Sequence, residues 1–154
     1  MSALDHARQA LREAMNPAAH LDAALARLAA WWSGNGRNDE LNDEDRDRLH
    51  AFLRRFEQLY DLIGRKMLRA LLVVAAEDPK EYTLRQLFHW AEKCGAIPSA
   101  ESWIRLGELR NRLVHDYPTG TELQLPHVTE AMAALPELHA AHAMLVAHLE
   151  QALA

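Results

Sequence analysis

Cysteine is nearly absent from this chain, Cys94 being the only one. An intramolecular disulfide and a cysteine-built zinc cluster are therefore excluded, and the composition suits a reducing cytosol. No stretch is long and apolar enough to span a bilayer, and the N-terminus MSALDHARQALREAM carries acids where a secretory leader would have an apolar core. A cytoplasmic protein is expected. Basic charge is also in short supply: 17 lysines and arginines face 22 acids, a formal charge of −5. A surface that coats DNA or an anionic membrane is therefore not expected, although a small local basic site is allowed. Glycine and proline number six each, and β-branched residues are sparse. No segment alternates with the two-residue period of a strand, which argues against a sheet.

What the chain does have is 49% hydrophobic and 25% charged residues over 154 positions, enough for the core of a soluble globular protein. Ala, Leu, Arg and Glu dominate, so helix is predicted nearly everywhere. Leu4, Ala7, Leu11 and Met15, then Leu21, Leu25, Leu28 and Trp32, recur at helical spacing on either side of Asn16-Pro17, predicting two short helices. SGNGRNDELNDED, from Ser33, is aperiodic and polar and reads as a loop. Leu49, Phe52, Phe56, Leu59, Ile63, Met67, Leu71 and Val74 then mark one long amphipathic helix over residues 43 to 76. Thr83 and Gln86 form a capping-box pattern ahead of Leu84, Leu87, Phe88 and Ala91, and Gly95 is placed to end that helix.

Ser99 is a candidate N-cap for the next helix, with Trp103, Leu106, Leu109, Leu113 and Val114 predicted as its buried positions. A final helix carries Val128, Met132, Leu135, Leu138, Leu145 and Leu149 on one side, with Pro136 as a kink. The predicted fold is all-α: an antiparallel helical bundle over residues 41–154 with an added N-terminal helical element and loop over residues 1–40.

One stretch, RNRLVHDYP from Arg110 to Pro118, gathers a guanidinium, an amide, an imidazole, a carboxylate and a phenol at a helix end. At about 100° per residue, Asn111 and His115 share a helical face, while Arg110 and His115 are about 140° apart, so either a long arginine reaches around or a second protomer completes the site. His115 in the last turn is placed to act as an acid, and an arginine beside it can hold a phosphate by two parallel hydrogen bonds. That is the minimum equipment for metal-free cleavage of RNA, with the substrate's 2′-hydroxyl as nucleophile. The same side chains also fit solvated charges (Arg110, Asp116), a helix-end histidine and a half-buried Tyr117.

RNRLVHDY resembles the signature of the HEPN superfamily: an arginine, a polar residue, a histidine four to six positions beyond the arginine and, in the HepT branch, a tyrosine two after the histidine. Arg110, Asn111, His115 and Tyr117 fill those positions. RFEQLYDLIGRKMLRALL (55–72) resembles the long helix that precedes the motif in HepT-like proteins, and ESWIRLGELRNRLVHDYP resembles their motif helix. The resemblance covers about residues 43 to 152.

It implies a helical homodimer whose two motifs face each other and form a composite endoribonuclease site, with Arg110 and His115 as the catalytic pair and Asn111 in support. It also implies a toxin silenced by a nucleotidyltransferase antitoxin of the MNT type, which attaches AMP to the motif tyrosine, here Tyr117. An acid on the preceding helix often contributes, a role open to Glu57 or Asp61; Asp116 and Arg112 are substrate contacts at most. The expected partners are a second copy, the nucleotidyltransferase and an RNA substrate, with no cofactor, metal, membrane or DNA. The alternative is a noncatalytic subunit that binds substrate or regulates a nucleotidyltransferase.

Other signals are weaker. His139, His142 and His148 have helical spacing but no further ligand to complete a metal site, and read as polar positions on a partly exposed helix. Trp31 and Trp32 cannot both face one core, whereas Trp90 and Trp103 read as core. DELNDEDRD is a solvated loop and helix start, and Cys94 reads as a small apolar residue.

Overall fold

The computed structural model describes residues 1–35, 42–115 and 125–154, with the side chains of residues 30–35, 125 and 126 outside the description. All regular structure among them is helical: α1 (Ala3–Ala14), α2 (Pro17–Asn35), α3 (Asp43–Asp61), a π-helical turn (Leu62–Met67), α4 (Leu68–Val74), a 3₁₀ turn (Pro79–Glu81), α5 (Leu84–Lys93), α6 (Ala100–His115) and α7 (Leu125–Leu153). The expected all-α fold is what the chain adopts. No helix among the described residues is long and apolar enough to cross a membrane. Asp116, Tyr117 and the side chains of Trp31 and Trp32 lie outside the described residues.

Local chemistry sets the helix ends. Ser2 with Asp5, Asn42 with Asp45, and Thr83 with Gln86 form reciprocal capping boxes that satisfy the free N–H groups opening α1, α3 and α5. Gly95 ends α5 at φ +73°, a left-handed conformation open to glycine, and the Ala96 N–H returns to the Ala91 carbonyl. The Ser99 hydroxyl accepts the Ser102 N–H and starts α6.

α3, the π turn and α4 form one continuous rod, and the Leu68 N–H reaching back to the Ile63 carbonyl marks the π register. α2 lies along α3, α6 packs on α3 and α5, and α7 crosses α1, α3, α4 and α6. Phe52, Phe56, Leu59, Ile63, Met67 and Leu68 of the rod meet Leu135, Leu138, Leu145 and Leu149 of α7 in one core, to which α1 and α2 also contribute. At about 25 cal/mol per Å² of apolar area, each of these fully buried side chains stabilises the fold by about 1.5–3 kcal/mol.

The structure corrects several expected burials. Leu4 and Met15 are exposed, and the inner stripe of α1 is Ala7, Ala10 and Ala14. α1 is wedged against α7, the π turn and α4, and only small side chains allow that approach. Leu84 and Val114 are also exposed, because the buried stripes of their helices run through Leu87, Phe88 and Ala91 and through Trp103, Leu106, Leu109 and Leu113. Cys94 is exposed at the end of α5.

Three of the four histidines of α7 act as polar staples. His139 Nε2 lies 2.9 Å from Asp22, His142 Nε2 3.0 Å from the Ala14 carbonyl, and His148 Nε2 3.1 Å from the Cys94 carbonyl. Replacing Ala7 by leucine is expected to overpack the α1 contact and cost about 1–3 kcal/mol, whereas Leu4→Ala is expected to change stability by no more than about 0.5 kcal/mol. Urea unfolding of both variants checks which stripe faces inward.

Candidate functional site

Glu57 and Asp61 are four residues apart on α3, so one helical turn puts both carboxylates on one face. Trp103, Gly107 and Arg110 form a matching stripe on α6. Where the stripes meet, Tyr60 stacks on Trp103 with ring centroids 4.7 Å apart and planes 14° from parallel. The Tyr60 hydroxyl donates to the Trp103 carbonyl at 3.4 Å and occupies the space that a side chain at Gly107 would need: a Cβ there would lie 2.5 Å from it. The glycine in mid-helix is thus a packing requirement that outweighs its cost of about 1 kcal/mol in helix propensity.

This contact delivers Arg110 to the acids. Its Nε donates to Asp61 Oδ1 at 3.1 Å, and its Nη2 donates to Asp61 Oδ2 at 2.7 Å and to Glu57 Oε1 at 3.0 Å. The pairing with Asp61 is the two-pronged guanidinium–carboxylate geometry, and it pushes Arg110 still further above the usual arginine range. Glu57 and Asp61, which the sequence offers as alternatives, both pair with Arg110.

The expectation that Arg110 presents two parallel donors to a phosphate is corrected by this arrangement. Both hydrogens of Nη2 and the one on Nε are taken, leaving Nη1, whose described partner is Asn111 Oδ1 at 3.4 Å. One cation against two carboxylates also makes the cluster net negative.

His115 is exposed, and its side chain makes no hydrogen bond or ion pair with another described residue. α6 is regular helix through this residue, so Arg110 and His115 stand about 140° apart around the axis and about 7.5 Å apart along it. They do not form one pocket within a single chain. Arg112 instead ties α6 to α7, its Nη2 2.9 Å from Glu130.

Beside Arg110, a cleft of about 200 Å³ is lined by Tyr60, Asp61, Gly64, Arg65, Phe88 and Asn111, among others. Behind its wall, the buried Trp103 Nε1 has no hydrogen-bond partner among the described residues and lies 3.7 Å from where a Cβ on Gly64 would sit. No group of three or more metal-ligating side chains is assembled among the described residues. Sequence reasoning missed Tyr60 and Gly107 as the pair that sets this geometry; the signal was a lone glycine inside an amphipathic helix.

Burial, with the Asp61 charge, pushes the Tyr60 phenol up to about 12 from 10.0. A folded-state value above the unfolded one means the neutral phenol's stabilisation is fully present below pH 10.0 and is lost as pH rises through about 12. Stability should therefore fall across that window, and Tyr60→Phe should remove this component along with the last tyrosinate signal in an ultraviolet titration.

Gly107→Ala is expected to cost about 1–3 kcal/mol by displacing the Tyr60 hydroxyl. The same change should cost little in a Tyr60→Phe background, so a double-mutant cycle by urea unfolding reads the contact directly. Equal costs in both backgrounds would show that the hydroxyl is not the obstacle.

No family model, curated protein or solved structure matches this chain, and what the site can do follows from its own residues.

Proposed function

We propose that this protein is a HepT-like, metal-independent endoribonuclease that works as a homodimer, with Arg110 and His115 as the catalytic pair. The observation that carries this reading is the clamped Arg110 guanidinium with Nη1 left over, on the same helix as an exposed His115 whose side chain pairs with no other described residue. Because the two groups diverge around α6, the reading requires the His115 of a second copy to come opposite Arg110.

In the proposed reaction the substrate's 2′-hydroxyl attacks the neighbouring phosphorus, and the bond from phosphorus to the 5′-oxygen breaks. The second copy's His115, as imidazolium, gives its proton to the departing 5′-oxygen, and water takes the proton of the 2′-hydroxyl. Arg110 Nη1 stabilises the charge that gathers on the non-bridging oxygens, and Asn111 orients that nitrogen. The products are a 2′,3′-cyclic phosphate and a 5′-hydroxyl. Asp61 and Glu57 are positioning residues that fix the guanidinium.

By the same resemblance, a nucleotidyltransferase partner attaches AMP to Tyr117, and the added charge and bulk close the site. One observation favours a second reading, a noncatalytic subunit of that nucleotidyltransferase: the Arg110 cluster is net negative and does not by itself attract a phosphate.

The two readings separate in a simple test. Induced alone, the parent protein should arrest bacterial growth, and the purified protein should cut RNA in the presence of a chelator, leaving cyclic-phosphate ends. Arg110→Ala or His115→Ala, at matched soluble expression, should lower cleavage by about 10²–10⁴-fold and abolish the arrest. Tyr117→Phe should keep the activity and lose silencing by the partner. A well-folded parent that neither arrests growth nor cuts RNA would establish the noncatalytic reading instead.

A further inference from the structure

An acid-rich chain with a net negative cluster at Arg110 must bring a phosphodiester there by other means, and a second cleft offers them. Between α1, the π turn and the 3₁₀ turn lies a space of about 510 Å³, too large for a single ion, lined by Arg65, Lys66, Arg69 and Lys80 against Glu13 and Asp78. Four cations against two acids leave this lining at +2, while the whole chain carries −5.

The acids are already engaged. Glu13 lies 3.0 Å from Lys66 Nζ, a contact that holds its carboxyl below the usual range, and Asp78 accepts the backbone N–H of Lys80 at 3.0 Å. Arg65, Arg69 and Lys80 are exposed and make no ion pair with a described residue. Arg65 and Arg69 are four residues apart along the rod, about 6 Å of rise for ideal α-helix, a step that neighbouring phosphates can bridge. Arg65 also lines the small cleft at Arg110, so the two spaces share a wall.

We propose that this basic cleft is the approach path of a single RNA strand, with Arg65, Arg69 and Lys80 holding phosphates that flank the scissile one at Arg110. The inference rests on the ribonuclease reading and names the part of the site that binds the substrate's backbone. A single strand is favoured over a duplex because in-line attack by a 2′-hydroxyl needs a backbone free to rotate. RNA is favoured over an acidic peptide because one of the cations, Arg65, also lines the cleft at Arg110.

The path also gives α1 a role. Gln9, Ala10 and Glu13 form its far wall, and the Lys66–Glu13 pair fastens that wall to the π turn.

The test is binding of a 2′-O-methylated single-stranded oligoribonucleotide of about ten nucleotides, which cannot be cleaved, followed by fluorescence anisotropy across a range of salt. The variant Arg65→Gln/Arg69→Gln/Lys80→Gln should bind about tenfold more weakly than the parent, with a log–log salt slope shallower by about two, the value for three lost single-strand phosphate contacts. A control variant, Arg27→Gln/Arg85→Gln/Lys93→Gln, removes equal charge elsewhere and should change neither quantity. Cleavage by the first variant should show a raised KM with kcat retained.

Equal weakening in both variants, or none in the first, would overturn the path. So would a parent that binds polyglutamate in preference to the oligonucleotide, which would mark the cleft as a protein-docking site. A parent that cuts RNA but binds no strand through these cations loses the path and keeps the activity. One that binds through them but cuts nothing keeps the path and loses the activity.

Discussion

Tyr60 lies flat on Trp103, with its hydroxyl in the gap left by Gly107, and this one contact sets the register of α3 on α6. Asp61 follows Tyr60 in the chain, and Arg110 comes one helical turn after Gly107. Seating the phenol therefore carries the carboxylate and the guanidinium to within 2.7 Å of each other. The packing is unforgiving because aromatic faces stack over a short distance range and a helix backbone does not yield to a misplaced methyl group. A partly buried Arg110 could not be tolerated unpaired, and the same register supplies Glu57 as its third hydrogen-bond acceptor.

Charge is unevenly distributed. Acids lie at the helix starts, in the capping boxes of α1 and α3 and along α3, where backbone N–H groups, arginines or solvent neutralise them. Three cations without a described ion pair, Arg65, Arg69 and Lys80, lie together around the π turn and the 3₁₀ turn. The π turn itself holds Gly64 and Arg65, which line the cleft beside Arg110, and Lys66, which pairs with α1. A local change of helical register thus lies at the junction of the Arg110 cluster, the basic cleft and α1, in keeping with the tendency of π turns to occur at functional sites.

The alanine stripe of α1 shows a second way in which small residues organise this molecule. Ala7, Ala10 and Ala14 bury little apolar area each, yet they let α1 approach α7 and α4 closely enough for His142 to reach the Ala14 carbonyl. Leucines at those positions would bury more surface but hold the helix away from the bundle. Periodicity arguments weight large apolar residues, which is why Leu4 and Met15 were expected to face inward and do not.

Helical class, the breaks at Pro17 and Gly95, the Thr83–Gln86 capping box and the long rod were legible in the amino-acid sequence, because each depends on residues within about one helical turn of one another. The motif from Arg110 to Tyr117 was legible for the same reason, as was the candidacy of Glu57 and Asp61. Other features were decided only by tertiary structure: that both acids hold Arg110, that its paired donors are thereby used up, and that Arg65 joins two clefts. Those outcomes depend on how α3 lies against α6 and α1 against the π turn, contacts between residues some fifty positions apart along the chain. A local pattern shows which side chains share a helical face, but only the packed helices decide what that face meets.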